Sequence, residues 1–127
     1  MADLLSELNQ QQKKAVAAPL GPILVLAGPG SGKTRVLTFR IAYLIAAMGI
    51  PPYQILAVTF TNKAAREMEK RVAGLLGGKA DGLWLGTFHA ICGRILRREA
   101  AYHPVDNNYV IYDADDQRSL VKRVIGE

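Results

Sequence analysis

The chain has 127 residues, which is the size of one ordinary domain and enough to bury a single hydrophobic core. Half of the residues are hydrophobic and 21% are charged, a composition that excludes a disordered or fibrous protein. The net charge is +5, and the surplus lies in residues 33–80, which hold eight Lys or Arg against two acids. A local basic excess favours a phosphate-bearing partner, although charged helix faces are often only solvated.

The first residues differ from a secretory signal, because Asp3 and Glu7 stand where such a signal carries positive charge. The apolar stretch 41–50 is too short to cross a bilayer. The single Cys92 cannot form an internal disulfide, and we expect it in the core, without a functional role. These features predict a cytoplasmic protein with no membrane partner.

In chain order, Asn9 and Gln12 have the spacing of a capping box and predict a helix that stops at Pro19. The continuous apolar run 23–28 predicts a strand buried on both faces, and a largely buried helix follows over 33–48. Further strands are expected at 55–60, 83–87 and 109–112, and further helices at 62–76, 89–102 and from about 114. This alternation predicts an α/β fold with a mainly parallel sheet and helices on both faces.

Residues 28–34, GPGSGKT, lie between the predicted strand and the predicted helix, as a phosphate-binding loop requires. Glycines let successive backbone N–H groups face an anion, and the helix N-terminus adds the positive end of its dipole. Lys33 would reach the β- and γ-phosphates and Thr34 would place its hydroxyl on Mg²⁺, so both are candidate catalytic residues. Ala27 stands where the strict pattern has glycine, which is a small change. The nucleotide-binding residues predicted here are Ala27, Gly28, Pro29, Gly30, Ser31, Gly32, Lys33 and Thr34.

Four segments occur in the order and at about the separations found in UvrD/PcrA/Rep-type superfamily 1 DNA helicases. They are LNQQQKKAV, AGPGSGKT, ILAVTFTNKAAREMEKRV and GTFHAICGRILRR. Residues 1–127 therefore resemble the N-terminal ATP-binding portion of the first motor domain of such a helicase, a phosphate-loop NTPase (RecA-like) fold that is incomplete here. Residues from about 106 would lead toward an inserted subdomain.

The resemblance implies ATP and Mg²⁺ as cofactors, and single-stranded DNA or a duplex junction as partner. It also implies that the complete protein has a second motor domain, steps 3′ to 5′ along one strand and unwinds duplex DNA in repair or replication.

The resemblance also assigns roles to two residues outside the loop. Gln12 matches a glutamine that contacts adenine, and its carboxamide can accept from N6 and donate to N7, whereas guanine offers two acceptors at those edges. Arg35 matches an arginine that stacks on the adenine ring. The alternatives are that Gln12 only caps a helix and that Arg35 is an ordinary surface cation.

Two further motifs imply contacts with single-stranded DNA. Phe60 lies where a predicted strand ends and matches an aromatic residue that stacks on a base. The helix start beside it can hold a phosphate. The alternatives are a buried Phe60 beside a plain N-cap, and an ordinary helix-start histidine in the second motif. The DNA-binding residues predicted here are Phe60, Thr61, Asn62, Thr87, Phe88 and His89. The arginines at 94, 97 and 98 share one helix face and are equally explained by solvation.

Asp113 follows the apolar run 109–112 as the magnesium-binding acid of a Walker B strand would. An N-cap with acids in the first helical turn explains the same residues, and we choose the cap. Because the sequence then offers no Asp-Glu pair, no arginine finger and no second motor domain, we expect the chain alone to bind ATP without efficient hydrolysis. Two alternatives stay open: a stand-alone nucleotide or metabolite kinase with Asp113 as its acid, and a non-enzymatic nucleotide-gated binding module.

Overall fold

The computed structural model describes residues 4–30, 32–78, 80–104, 106 and 108–126. The chain divides into two compact units, residues 1–88 and residues 89–127. Each helix within the described ranges is too short or too polar to cross a membrane.

The first unit contains a parallel strand–helix–strand unit preceded by two helices. The elements are α1 (Gln10–Val16), α2 (Lys33–Ala46), β1 (Leu56–Thr59), α3 (Asn62–Leu76) and β2 (Trp84–Thr87), with a short 3-10 turn at Pro52–Gln54. The two strands pair in parallel, with Leu56 opposite Trp84 and Thr59 opposite Thr87. Helix α3 is the crossover that parallel neighbours require. The α/β class and the parallel pairing predicted from the sequence are therefore confirmed.

Helix α2 lies between two groups of buried side chains. On one side Phe39 packs with Leu8 and Val16, and on the other Ile41 packs with residues of α3. The buried Thr38 hydroxyl is satisfied within the helix, since the carbonyl of Thr34 lies 3.0 Å from it as an acceptor. Because both groups of side chains use α2, this helix is held firmly, and the glycine-rich loop leads into its first turn.

Helix boundaries follow the predicted caps closely. Asn9 caps α1 in a capping box with Gln12. Thr61 caps α3, which ends at Gly77, a glycine with a left-handed φ of 61°. Helix α2 ends two residues earlier than predicted, at Ala46. These helix predictions are confirmed because each cap is made by residues a few positions apart.

The predicted strand over 23–28 is wrong. The described residues 22–28 form no strand, and Leu24 and Leu26 are 83% and 86% exposed. An apolar run becomes a buried strand only when a neighbouring strand pairs with its backbone, and within the described residues the sheet contains β1 and β2 alone, so neither pairs with residues 23–28. The sheet of the described residues therefore has two strands and is smaller than predicted.

The second unit is mostly helical. Helix α4 (Phe88–Arg98) begins with the last residue of the first unit, a 3-10 turn follows at Ala100–Tyr102, and α5 (Ala114–Ile125) is the last helix in the described part. The helix predicted over 89–102 therefore ends earlier than expected. Cys92 is exposed, so its predicted place in the core is wrong; Ile91, one position earlier in α4, is buried instead.

The predicted strand over 109–112 is also wrong, because these residues contact a helix through their side chains. The Tyr109 hydroxyl donates to the carbonyl of Gly93, and the Arg97 guanidinium lies 4.7 Å from the centre of the Tyr109 ring. A Cβ on Gly93 would lie 3.1 Å from Ile111 Cδ1, so the missing side chain permits this close approach. Side-chain packing on α4 takes the place of strand pairing here.

Candidate functional site

The glycine-rich loop ends at the N-terminus of α2. Gly30 and Gly32 have φ values of 71° and 78°, in the left-handed region that favours glycine. Gly32 is the N-cap residue, and no described side chain caps α2, whereas α1, α3 and α5 each begin with a side-chain cap. The first N–H groups of α2 are therefore left to face an anion. Ala27 is half-buried and residues 28–30 are exposed; Ser31, also predicted in this loop, lies outside the described residues.

Lys33 and Thr34 are the first two residues of α2, and both are exposed. Their side chains make no hydrogen bond or ion pair with any described residue. An ammonium and a hydroxyl beside free N–H groups suit a polyphosphate, and a hydroxyl oxygen is a ligand type that Mg²⁺ accepts. Within the described ranges, no three His, Cys, Asp or Glu side chains come close enough to hold a metal ion.

Gln12 lies beside the loop and also caps α1. Its Oε1 accepts from the Asn9 N–H at 3.1 Å, and Asn9 Oδ1 accepts from the Gln12 N–H at 2.9 Å. A Cβ built on Gly32 would lie 2.9 Å from Gln12 Nε2. The structure therefore brings Gln12 against the loop while its other amide atom completes the cap.

Arg35 is half-buried and paired with other residues rather than free on the surface. Its Nη2 donates to the carboxylate and to the backbone carbonyl of Glu7, both at 3.1 Å. The guanidinium carbon lies 5.3 Å from the centre of the Phe39 ring, and the side chain is 43% exposed. Sequence reasoning missed Glu7 as a partner, since 28 positions separate the two residues and no local pattern joins them.

Phe60 and Phe88 form an exposed aromatic pair where β1 and β2 end. Each residue directly follows one of the paired threonines, Thr59 and Thr87, which lie opposite each other in the sheet. The ring centres are 5.6 Å apart with an interplanar angle of 42°, and the exposed fractions are 90% for Phe60 and 51% for Phe88. The alternative of a buried Phe60 is therefore wrong. Carboxyl ends of parallel strands are where open α/β sheets bind ligands.

The residues on either side of Phe60 in the chain are polar and lead into α3. The Thr61 hydroxyl accepts from the Ala64 N–H at 3.1 Å, and Thr59 Oγ1 donates to the Thr61 carbonyl at 3.1 Å. Asn62 is exposed in the first turn of α3. Thr59, which sequence reasoning missed, thus supports the backbone of the next turn.

Two other predicted DNA-binding residues, Thr87 and His89, are not part of the exposed aromatic pair. Thr87 is buried, with 8% of its surface exposed. His89 is exposed in the first turn of α4 and belongs to the second unit.

Asp113 is the N-cap of α5, as predicted. Its Oδ1 accepts from the N–H groups of Asp115 at 2.9 Å and Asp116 at 2.8 Å, and Asp116 Oδ2 accepts from the Asp113 N–H at 3.1 Å. Two acids in the first turn of a helix are also stabilised by its dipole.

Residues 8–127 match the family model of the UvrD/REP helicase N-terminal domain. The chain belongs to this family. It is 53% identical over 124 residues to ATP-dependent DNA helicase PcrA of Bacillus subtilis (strain 168). It is 51% identical over 125 residues to ATP-dependent DNA helicase PcrA of Staphylococcus aureus (strain Mu50).

Both alignments cover 98% of this chain and 17% of the relative. The chain therefore spans 17% of the length of these curated relatives. The resemblance drawn from the four sequence segments is confirmed, and the glycine-rich loop and the exposed aromatic pair lie within the residues that match the UvrD/REP helicase N-terminal domain.

Proposed function

We propose that this chain is the ATP- and DNA-binding part of a phosphate-loop (RecA-like) motor domain. In the complete protein this domain would work with a second motor domain. ATP would drive 3′–5′ movement along single-stranded DNA and the unwinding of duplex DNA in repair or replication, in the cytoplasm. The observation that carries the proposal is the exposed Phe60–Phe88 pair at the ends of paired strands, since rings exposed at this edge of the sheet suit stacking on the bases of single-stranded DNA.

On the nucleotide side, residues 27–34 hold the phosphates and Gln12 contacts the base. The uncapped N–H groups of α2 and the Lys33 ammonium bind the phosphate oxygens, while Thr34 supplies an oxygen to the Mg²⁺ that the nucleotide carries. Arg35 stacks on the adenine ring, as its planar guanidinium permits. Bound Mg²⁺ neutralises charge on the phosphates.

On the DNA side, Phe60 and Phe88 offer ring faces to bases without regard to sequence. Thr61 and Asn62 lie at the N-terminus of α3, where the positive end of the helix dipole and the exposed Asn62 amide suit a phosphate, while the Thr61 hydroxyl caps the Ala64 N–H. Thr87 supports this edge from within the fold, and His89 adds an exposed imidazole at the start of α4. The single-stranded DNA would therefore run across the ends of β1 and β2.

The proposal includes weak or absent hydrolysis by this chain alone. A stand-alone kinase would need Asp113 as a working acid, and the Asp113 carboxylate is instead used by two N–H groups of α5. A nucleotide-gated binding module shares both sites and differs only in lacking turnover in the complete protein. The exposed aromatic pair favours the helicase over the kinase.

The test is a fluorescence anisotropy titration of labelled oligo-dT with the chain, paired with thermal unfolding in MgATP. We expect DNA affinity that falls with salt, with a slope of log K on log[salt] of about −0.7 for each phosphate bound. We also expect stabilisation by MgATP. Absence of oligo-dT binding at low salt would refute the proposed motor function. Phosphoryl transfer to a small acceptor, at a rate indifferent to single-stranded DNA, would favour the kinase.

A further inference from the structure

Arg40, in the middle of α2, binds the C-terminal end of α1. Its Nη1 donates to the carbonyls of Val16, at 2.7 Å, and Ala18, and its Nη2 donates to the carbonyl of Pro19 at 3.3 Å. One guanidinium therefore serves three backbone carbonyls at and just beyond the end of a helix. Neither the phosphate loop nor the aromatic pair includes Arg40.

The hydrogen bonds from the charged Arg40 guanidinium to these carbonyls are stronger than hydrogen bonds between neutral groups. The last carbonyls of a helix have no partner within it and carry the negative end of its dipole. Arg40 brings a permanent positive charge and a planar set of N–H donors, which suits several acceptors at once. The residue is half-buried, so water competes for these carbonyls less than it would on an open surface.

The other end of α1 is also fixed to α2 by an arginine. Arg35 binds Glu7, three positions before the first residue of α1, while Val16 and Leu8 pack on Phe39 between the two arginines. Helix α1 has only seven residues, too few to be stable alone. Its position on α2 therefore depends on these tertiary contacts.

Gln12 lies between the two attachment points and projects toward the loop. Its Nε2 is 2.9 Å from the place a Cβ on Gly32 would occupy, so a small shift of α1 would change where this amide lies relative to the phosphates and the base. We propose that Arg40 is a positioning residue for base recognition: by holding the end of α1 on α2, it keeps Gln12 where it distinguishes adenine from guanine. This inference rests on the proposed function, in which Gln12 contacts the base.

The positions of these groups distinguish a role of Arg40 in base recognition from a role in the stability of the whole nucleotide site. Three of the proposed phosphate-binding residues are the N-cap and first two residues of α2, namely Gly32, Lys33 and Thr34, and Arg40 is on the same helix. Loss of the Arg40 contacts frees α1 and leaves the start of α2 in place. Loss of Arg40 should therefore reduce the preference for ATP over GTP and leave the affinity for the phosphates unchanged.

The experiment measures dissociation constants of MgATP, MgGTP and magnesium tripolyphosphate for the chain and its variants by calorimetry. Arg40→Met keeps much of the side-chain length and removes the charge and the donors. Arg40→Lys keeps the charge but cannot reach three carbonyls in a plane. Arg66→Met, on the exposed face of α3, is the matched control. Far-UV circular dichroism checks that each variant is folded.

We expect the unaltered chain to prefer ATP over GTP by about fivefold to tenfold, the discrimination of roughly one hydrogen bond. In Arg40→Met the preference should fall to about twofold or less, with tripolyphosphate affinity unchanged, and Arg40→Lys should retain part of it. Gln12→Ala should lose the same preference. Adding Arg40→Met to Gln12→Ala should cause no further loss, because the first residue acts through the second.

A full ATP preference in folded Arg40→Met would overturn the inference and leave the proposed function intact. An equal loss of ATP and tripolyphosphate affinity would also overturn it, since Arg40 would then support the whole site. If Arg40→Met does not fold, the same tests apply to Arg40→Lys. No preference in the unaltered chain, with tripolyphosphate still bound, would instead refute the proposed base contact of Gln12.

Discussion

Replacing Phe60 by alanine separates DNA binding from folding, because the ring has few contacts within the protein. It is 90% exposed, and it contacts the ring of Phe88, with 5.6 Å between the ring centres. Aromatic pairs contribute about 0.5–1.5 kcal/mol, and an exposed pair falls at the low end. Phe60→Ala should therefore lower the free energy of unfolding by less than about 1 kcal/mol.

The expected loss of DNA affinity is larger than the loss of stability. Stacking of a base on an aromatic ring contributes roughly 1–3 kcal/mol, and each 1.4 kcal/mol changes a dissociation constant about tenfold. Phe60→Ala should therefore weaken oligo-dT binding by about fivefold to 150-fold. Stabilisation by MgATP should be unchanged, since residues 27–34 are unaltered.

Anisotropy titrations at one fixed salt concentration measure this effect, with two comparison variants. Phe60→Trp keeps a ring and should bind at least as well as the unaltered chain. Tyr53→Ala removes a ring that is 66% exposed in the turn before β1, at the opposite end of that strand from Phe60. Equal affinity of Phe60→Ala and the unaltered chain would refute the stacking role. An equal loss in Tyr53→Ala would show that exposed aromatic residues bind DNA here without regard to position.

Three further predictions concern the nucleotide and the caps. Lys33→Ala should abolish the stabilisation by MgATP, which is about 2.7 kcal/mol at a concentration of 100 Kd, whereas the exposed Lys70→Ala should retain it; an unchanged melting shift would contradict the site. Gly32→Ala should weaken MgATP binding, because φ is 78° there and the new Cβ would lie 2.9 Å from Gln12 Nε2. The left-handed backbone alone should lower the free energy of unfolding by about 1–2 kcal/mol in urea, and unchanged stability would refute this strain. Asp113→Asn should preserve both the cap and magnesium-dependent ATP binding in calorimetry, and a large loss of that binding would restore Asp113 as the magnesium acid.

The sequence predicts helices better than strands in this chain, for a physical reason. A helix start is decided within four residues, so Asn9 and Asp113 are N-caps as predicted, and α3 begins at Asn62 as predicted. A strand exists only when a distant segment pairs with it. The runs 23–28 and 109–112 are apolar enough for strands, yet the first is exposed and the second packs on α4.

The residues of the candidate site could be predicted from the sequence, but the long-range contacts that position them could not. Residues 28–34 and Phe60 are recognisable because their neighbours in sequence supply the context. Contacts of Arg35 with Glu7 and of Arg40 with the end of α1 join residues 21 to 28 positions apart, and no periodicity or spacing signals them. Such contacts determine where a recognisable residue points, and they form only when the chain is folded.

Gln12 can cap α1 and contact adenine at the same time, so these two interpretations of the residue are compatible. Its Oε1 is held by the Asn9 N–H in the capping box, and this bond fixes which end of the amide faces the loop. The Nε2 atom, with two N–H donors, therefore lies toward Gly32, and Oε1 keeps a second lone pair for another donor. Adenine presents an acceptor at N7 and a donor at N6, which matches this amide in this orientation. The cap thus orients the amide for the base contact, and loss of the Asn9 cap should reduce the preference for adenine together with the stability of α1.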